Sequence, residues 1–283
     1  MRARIPLLLR WAVSLAILAV ILWRVSLEEL VARVKTGAPG PLVAALLVVL
    51  LAQVLVALRW RLLADALGLA VPVGLAVRAV FQGLLGSQLL PSTLGADLVR
   101  GWVVARYTGA ARRAAASVVA DRLAGLFGAC LLLATAYCLF RQLPVPFAGT
   151  LAAAAPLASG AAFLASIVLL ANGVTPRPAP ILAALALALV IHSLNVASAA
   201  LAAAAYGANP ALEVWLSIIP LSLIATAVPV SINGWGVREA VIVALAAGHG
   251  IPEADALAVS LTLGMLNLAA CLPGAYFLWS APR

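Results

Sequence analysis

Pro91-Ser92-Thr93-Leu94-Gly95-Ala96-Asp97-Leu98-Val99-Arg100 interrupts one apolar segment, and Pro229-Val230-Ser231-Ile232-Asn233-Gly234-Trp235-Gly236-Val237-Arg238-Glu239 interrupts another. Ser92 and Ser231 stand 139 residues apart, as do Gly95 and Gly234, Gly68 and Gly207, Gly125 and Gly264, and Tyr137 and Tyr276. Two proline pairs, Pro72 with Pro210 and Pro91 with Pro229, follow at 138. In a chain of 283 residues this offset is one half, so a single transmembrane domain divides into pseudo-repeat halves of about 1–143 and 144–283. Chance matches between glycines are the competing explanation. Gly/Pro-interrupted apolar segments at corresponding places in two halves point to a transporter's binding site.

Composition sets the class. The chain is 65% hydrophobic and 10% charged, with a mean hydropathy of +1.15, far from a soluble domain. Apolar stretches at about 7–25, 41–64, 114–140, 151–171, 179–206 and 254–280 each approach or exceed the ~20 residues that cross a bilayer core. The broken segments, about 75–107 and 212–248, add half-length helices. The expected fold is therefore all-α and polytopic, with six crossings and two hairpins of broken half-helices in an inverted repeat. The first stretch follows Arg2, Arg4 and Arg10 but lacks a small-residue cleavage site, and reads as an uncleaved signal anchor. Cys130, Cys138 and Cys271 form no CxxC pair and suggest neither disulfides nor a metal.

The net charge of +9 could suggest nucleic acid, but no basic run with interleaved aromatics is present. The charges sort by side instead. With a cytoplasmic N-terminus and each broken segment returning to its own side, Arg2, Arg4, Arg10, Arg59, Arg61, Arg78, Arg106, Arg112, Arg113, Arg177 and Arg283 fall inside. Only Arg24, Arg33, Lys35 and Arg141 fall outside, among Glu28, Glu29, Glu213, Glu253 and Asp255. That is the positive-inside pattern of an inner-membrane protein with both termini cytoplasmic. Three crossings plus a hairpin per half invert the second half against the first. The two tips can then meet near the midplane, where non-helical backbone is tolerated only inside protein or beside a wet cavity.

The breaks carry suitable chemistry. Pro91 and Pro229 stop the preceding helices, and Ser92 or Thr93, and Ser231 or Asn233, can cap the helices that restart. Gly95, Gly234 and Gly236 admit close approach of backbone or ligand. A helix N-terminus favours anions, so two restarted helices with Arg100 and Arg238 make a candidate phosphate site. Asp97 is spaced to pair with Arg100, and Glu239 can serve as counter-ion across the site. Asp121-Arg122 lies roughly 12 Å of helix beyond Arg113 at 1.5 Å per residue; an ionisable pair at that depth is a functional candidate, able to flank the anion site, carry a proton or clamp the first hairpin through Arg100. Structural ion pairing is the alternative for each.

Other polar residues have plainer readings. His192, Asn195 and Ser198 share a helix stripe suited to helix–helix hydrogen bonds, and Asn267 can bond to the hairpin tip or equally be packing glue. Arg59-Trp60-Arg61 reads as an interfacial anchor, with a lipid-headgroup contact as the lesser alternative. Enzymatic signals are thin. Two histidines 57 residues apart argue against zinc, no P-loop is present, and no cofactor is expected. Asp97, Asp121 or Glu239 could act as a base, but no nucleophile is paired with them.

Arg59-Trp60 with Leu62-Leu63, Pro91-Ser92-x-x-Gly95-x-Asp97-x-x-Arg100, Asp121-Arg122-x-x-Gly125-Leu126 and Gly234-x-Gly236-x-Arg238-Glu239 together resemble the lysylphosphatidylglycerol synthase transmembrane family, the flippase-like UPF0104/YbhN type. The resemblance covers nearly the whole chain and implies movement of a lipid between leaflets. In the best-known members this module is joined to a soluble aminoacyl-transferase domain, which these residues do not match, so synthase activity is not carried over. The implied partners are membrane lipids, either an anionic phospholipid or a polyprenyl-phosphate-linked lipid. A separate lipid-modifying enzyme is a further partner class, and nucleic acid is not expected. The substrate-binding set is Pro91, Ser92, Gly95, Asp97, Arg100, Asp121, Arg122, Ser231, Asn233, Gly234, Gly236, Arg238 and Glu239. The rivals are a carrier of a small soluble anion, favoured by a closed polar cavity, and a membrane enzyme or its non-catalytic partner.

Overall fold

The fold is seen in a computed structural model, which describes residues 12, 14–21, 23, 25, 27–89, 95–140, 148–171, 175–228, 231 and 233–279. All regular structure among them is helical: α1 (Leu27–Lys35), α2 (Pro39–Ala66), α3 (Val73–Leu89), α4 (Gly95–Thr108), α5 (Ala111–Phe140), α6 (Ala148–Leu170), α7 (Pro178–Ala205), α8 (Leu212–Ala227), α9 (Val237–Ala247), α10 (Glu253–Ala269) and α11 (Leu272–Trp279). Residues 14–21 are also helical; the rest of the expected first crossing is largely outside the described residues. Helices α2, α5, α6 and α7, and α10 with α11 taken together, are five segments long and apolar enough to cross a membrane. The protein is an all-α, polytopic membrane protein.

Local chemistry sets the helix ends. Both α2 and α7 open on a proline, Pro39 and Pro178, whose missing N–H falls where a helix has no acceptor for it. Both close on a left-handed glycine, Gly68 at φ 76° and Gly207 at φ 74°. Behind Gly68, the Leu69 N–H donates to the Ala64 carbonyl at 2.9 Å; behind Gly207, Ala208 donates to Ala203 at 3.1 Å. These paired Schellman turns satisfy carbonyls that a helix end would otherwise leave bare. Near the C-terminus, Pro273 has no N–H to continue the ladder, and α10 gives way to α11 at Ala270-Cys271.

Helix boundaries recur at the offset of 139: α2 and α7 match at both ends (39 and 178, 66 and 205), α3 and α8 begin at 73 and 212, α4 and α9 end at 108 and 247, and α5 and α11 end at 140 and 279. The α2–α7 contact is the most extensive between any two of these helices. In lipid there is no hydrophobic drive to pair helices, so small residues that allow close approach do much of the work. Gly83 and Gly86 of α3 lie against Ala96 and Val99 of α4, Gly128 of α5 against Ala188 and His192 of α7, and Gly274 of α11 against the Phe81 carbonyl of α3. Leu47, Leu164, Val168 and Leu182 point outward, each more than half exposed, as a lipid-facing belt requires.

The bundle has two chemically distinct ends. At one, the Arg177 Nη2 meets Asp65 Oδ1 at 2.6 Å and Arg78 Nη2 donates to the Phe277 carbonyl at 2.8 Å. At the other, Arg33 Nε meets Asp255 Oδ1 at 2.8 Å and the Ala38 N–H donates to Ala205 at 2.8 Å. Chain continuity places Arg61, Arg106, Arg112 and Arg113 with the first end, and Glu28, Glu29, Glu213 and Glu253 with the second. Arg59 leaves the basic-end group: it is only 6% exposed and lies inside the bundle.

Candidate functional site

Asp121 sits in the first half of α5 and is 1% exposed, so its charge must be met by protein. Arg59 Nε of α2 donates to Oδ1 at 2.8 Å, and Arg100 Nη1 of α4 to Oδ2 at 2.6 Å. Arg100 reaches on through Nη2 to Asp97 Oδ1 at 2.6 Å, Asp97 Oδ2 accepts from Arg122 Nη1 at 2.8 Å, and Arg122 Nη2 donates to the Ala227 carbonyl at the end of α8 at 2.9 Å. Five charged groups thus run in one chain from α2 to α8. Three guanidiniums and two carboxylates leave one net positive charge within the spans. Buried charges in a membrane are costly unless paired; here every carboxylate oxygen is engaged. Trp60, fully buried, stacks on the Arg100 guanidinium at 5.2 Å and donates Nε1–H to Ser117 Oγ at 3.1 Å. Gly125 leaves room for the Arg59 guanidinium, and its carbonyl accepts from His192 Nε2 at 2.7 Å.

The second break is built differently. Asn233 (φ 48°), Gly234 (φ 80°) and Gly236 (φ 88°) all take the left-handed conformation, which the glycines tolerate freely and asparagine better than most. The cap of α9 is Gly236, rather than Ser231 or Asn233 as the sequence suggests. Glu239 reaches back so that its Oε2 accepts the Gly236 N–H at 2.6 Å. Its Oε1 accepts Arg238 Nη2 at 2.6 Å, Arg238 Nε at 3.0 Å and Ser260 Oγ at 3.2 Å. Glu239 is 0% exposed, so it is a local counter-ion that neutralises the α9 N-terminus and not a group facing across a shared site. Trp235 stacks on Arg238 at 4.9 Å, and Gly264 lies beneath both, where a Cβ would collide with each.

The two breaks share a template. Arg100 bonds Asp121 in the first half; Glu239 bonds Ser260 in the second, both partners displaced by 139. Gly125 accommodates one arginine, and Gly264, again 139 later, accommodates another.

Two spaces adjoin these clusters. A cavity of about 190 Å³ is lined by Leu84 and Gln88 of α3, Asn195 and Ser198 of α7, Ile219, Ser222, Leu223 and Thr226 of α8, Asn233, Arg238, and Leu263 and Asn267 of α10. A groove of about 390 Å³ runs between α4 and α5, walled by Leu98, Gly101, Trp102, Ala105, Ala115, Val118 and Val119, with Asp97 and Arg122 as its charged members. Leu98 is 65% exposed and Trp102 59%, so the groove opens sideways. The Arg122–Ala227 bond joins the charged part of the groove to the α8 end that also carries Thr226 of the cavity wall.

The sequence-derived residues therefore fall into two groups. Asp97, Arg100, Asp121 and Arg122 come together in the first; Asn233, Gly234, Gly236, Arg238 and Glu239 form the second. Arg238 lines the polar cavity and Arg100 does not; Arg100 is held by Asp97 and Asp121. Gly95 is the buried first residue of α4 and Ser231 is 1% exposed; Pro91 and Ser92 lie outside the described residues. Sequence reasoning missed Arg59 as the second partner of Asp121, and Gln88, Asn195, Ser198, Ser222, Thr226 and Asn267 as cavity wall. The signal for Arg59 was its distance from the helix-ending Gly68, nine residues or about 13 Å at 1.5 Å per residue, too deep for an interfacial anchor.

Buried charge at two broken helix pairs thus adjoins a polar cavity and a groove inside a polytopic membrane protein. The chain belongs to the lysylphosphatidylglycerol synthase TM region family, which matches residues 7–274. The match is to the transmembrane region alone. Comparison with curated proteins and with solved structures returned no match.

Proposed function

We propose that this protein carries an anionic lipid between leaflets. The observation behind this reading is the α4–α5 groove, apolar along its walls, open sideways and ending on the Asp97–Arg122 pair. A soluble substrate has no use for an apolar side opening; a lipid needs one, since its tails stay in the bilayer while its headgroup enters protein. The headgroup would occupy the polar cavity at Arg238. Among the described residues Arg238 Nη1 has no acceptor, which leaves a charged donor for a phosphate.

In this reading the basic end of the bundle is cytoplasmic, in a bacterial inner membrane, with both termini on that side. The α3–α4 and α8–α9 pairs are then hairpins entering from opposite faces. At 17 and 14 residues for the first, and 16 and 11 for the second, each arm is shorter than a typical span. Rocking of one half against the other would expose the cavity to each side in turn. No part of this needs a catalytic group. A separate lipid-modifying enzyme would be the natural supplier or consumer of the cargo.

The test is leaflet exchange of labelled phosphatidylglycerol, phosphatidylcholine and a polyprenyl phosphate in vesicles holding the purified protein. Anionic lipids should exchange faster than phosphatidylcholine. Arg238→Gln, which removes the charge but keeps a donor for Glu239, should slow them about tenfold or more, since a hydrogen bond to a charged group is worth ~1.5–3 kcal/mol. The cavity's polar lining favours a second reading, transport of a small soluble anion. Uptake of inorganic phosphate without exchange of any lipid would select it.

A further inference from the structure

The wall of the cavity says which headgroups it can hold. Besides Arg238, its polar members are neutral: the carboxamides of Gln88, Asn195, Asn233 and Asn267 and the hydroxyls of three Ser/Thr residues. The hydroxyls of Ser198, Ser222 and Thr226 donate to carbonyls of their own helices, to Asn195, Ile219 and Leu223 at 2.8–3.0 Å, which leaves their oxygens as acceptors. Among the described residues, the side chains of Asn195 and Asn233 have no protein partner, and each brings both a donor pair and an acceptor.

Among the described residues no carboxylate lines this space. Glu239 is the nearest in sequence to the wall, and it is fully buried with both oxygens occupied by Gly236, Arg238 and Ser260. Asp97 and Asp121 are taken up by arginines in the first network. An ammonium drawn out of water into this cavity would find no counter-charge and an arginine of its own sign, a costly placement. Mixed donors and acceptors without charge suit an array of hydroxyls instead, and Arg238 suits a phosphate diester.

We infer that the headgroup taken here is an uncharged polyol or sugar joined through phosphate to its lipid, and not an aminoacylated, cationic one. The inference rests on the lipid-translocation reading, whose substrate class it narrows, and it departs from the lysylated lipid in the family's title.

The experiment compares leaflet exchange of labelled phosphatidylinositol, phosphatidate and lysyl-phosphatidylglycerol with the same tails. Phosphatidylinositol should exchange about tenfold faster than either, the ratio expected from one or two added hydrogen bonds. Asn195→Leu and Asn267→Leu, each checked for an unchanged melting temperature, should bring the phosphatidylinositol-to-phosphatidate ratio towards one. Lysyl-phosphatidylglycerol moving as fast as phosphatidylinositol overturns the inference but leaves lipid translocation standing. So does a ratio that neither asparagine variant alters. If instead glycerophosphoinositol is taken up while no lipid exchanges, the headgroup chemistry stands and the lipid reading falls. Neither event overturns both.

Discussion

Asp121 holds two arginines from two helices, and removing its charge should show what that junction contributes. In Asp121→Asn the guanidiniums of Arg59 and Arg100 lose their shared carboxylate in a buried setting. Breaking a buried ion pair by deleting one partner typically costs ~3–5 kcal/mol. The expected outcome is a lower melting temperature in detergent, whereas Arg177→Ala, at an exposed pair with Asp65 (61% and 37%), should leave it nearly unchanged. Equal melting of the two variants would sink the hub assignment. The charges themselves were legible in the sequence, because ionisable residues at membrane depth stand out. Their partners were legible only in part: Asp121 as a clamp on Arg100 was among the open readings. Asp97 with Arg100 is a local helix pairing and could be read, but Arg59 with Asp121 is a contact across 62 positions fixed only by how α2 packs on α5. The cavity wall was hidden for a related reason: Asn195 and Ser198 share one helix stripe, and nothing in the stripe says whether it meets another helix or open space.

At the level of elements, the long spans and the interrupted segments stand close to where hydropathy and Gly/Pro placement put them. Restart points were harder to read. Ser231 and Asn233 are good caps by type, yet α9 starts after Gly236, because Glu239 can fold back on that N–H only from the third helical position. Helix closure, by contrast, follows directly from residue type. Gly207 ends α7 at φ 74°, and a Cβ there would meet nothing within 4 Å. Gly207→Ala should therefore lose only the backbone cost of a left-handed residue, about 1–2 kcal/mol, seen as a modest drop in melting temperature with lipid exchange retained. A loss much larger than that would mean the turn does more than close the helix.

At the scale of the whole molecule, α2 and α7, whose ends stand 139 residues apart, share the most extensive helix contact, and Arg78 and Gln82 of α3 tie to the Phe277 carbonyl of α11. If the halves rock, a covalent link between α3 and α11 should stop the cycle. Cysteines at Arg78 and Phe277, joined by a short reducible cross-linker, should abolish lipid exchange, and reduction should restore it. Exchange that persists through cross-linking would rule out relative motion at that seam. The offset of 139 was visible in scattered glycines with one serine and one tyrosine pair; that several helix ends and contacts recur at it needed coordinates.

The recurrence of helix ends at an offset of 139 has an energetic corollary. An inverted duplicate with identical sequences would rest equally well facing either side, its two states related by the exchange of halves. Here the matched positions hold Asp121 and Ser260, and five linked charges at one break stand against a single arginine–glutamate pair at the other. If the protein alternates between two such states, unequal clamps would tilt the two wells and give the empty protein a resting direction that its backbone plan alone would not supply.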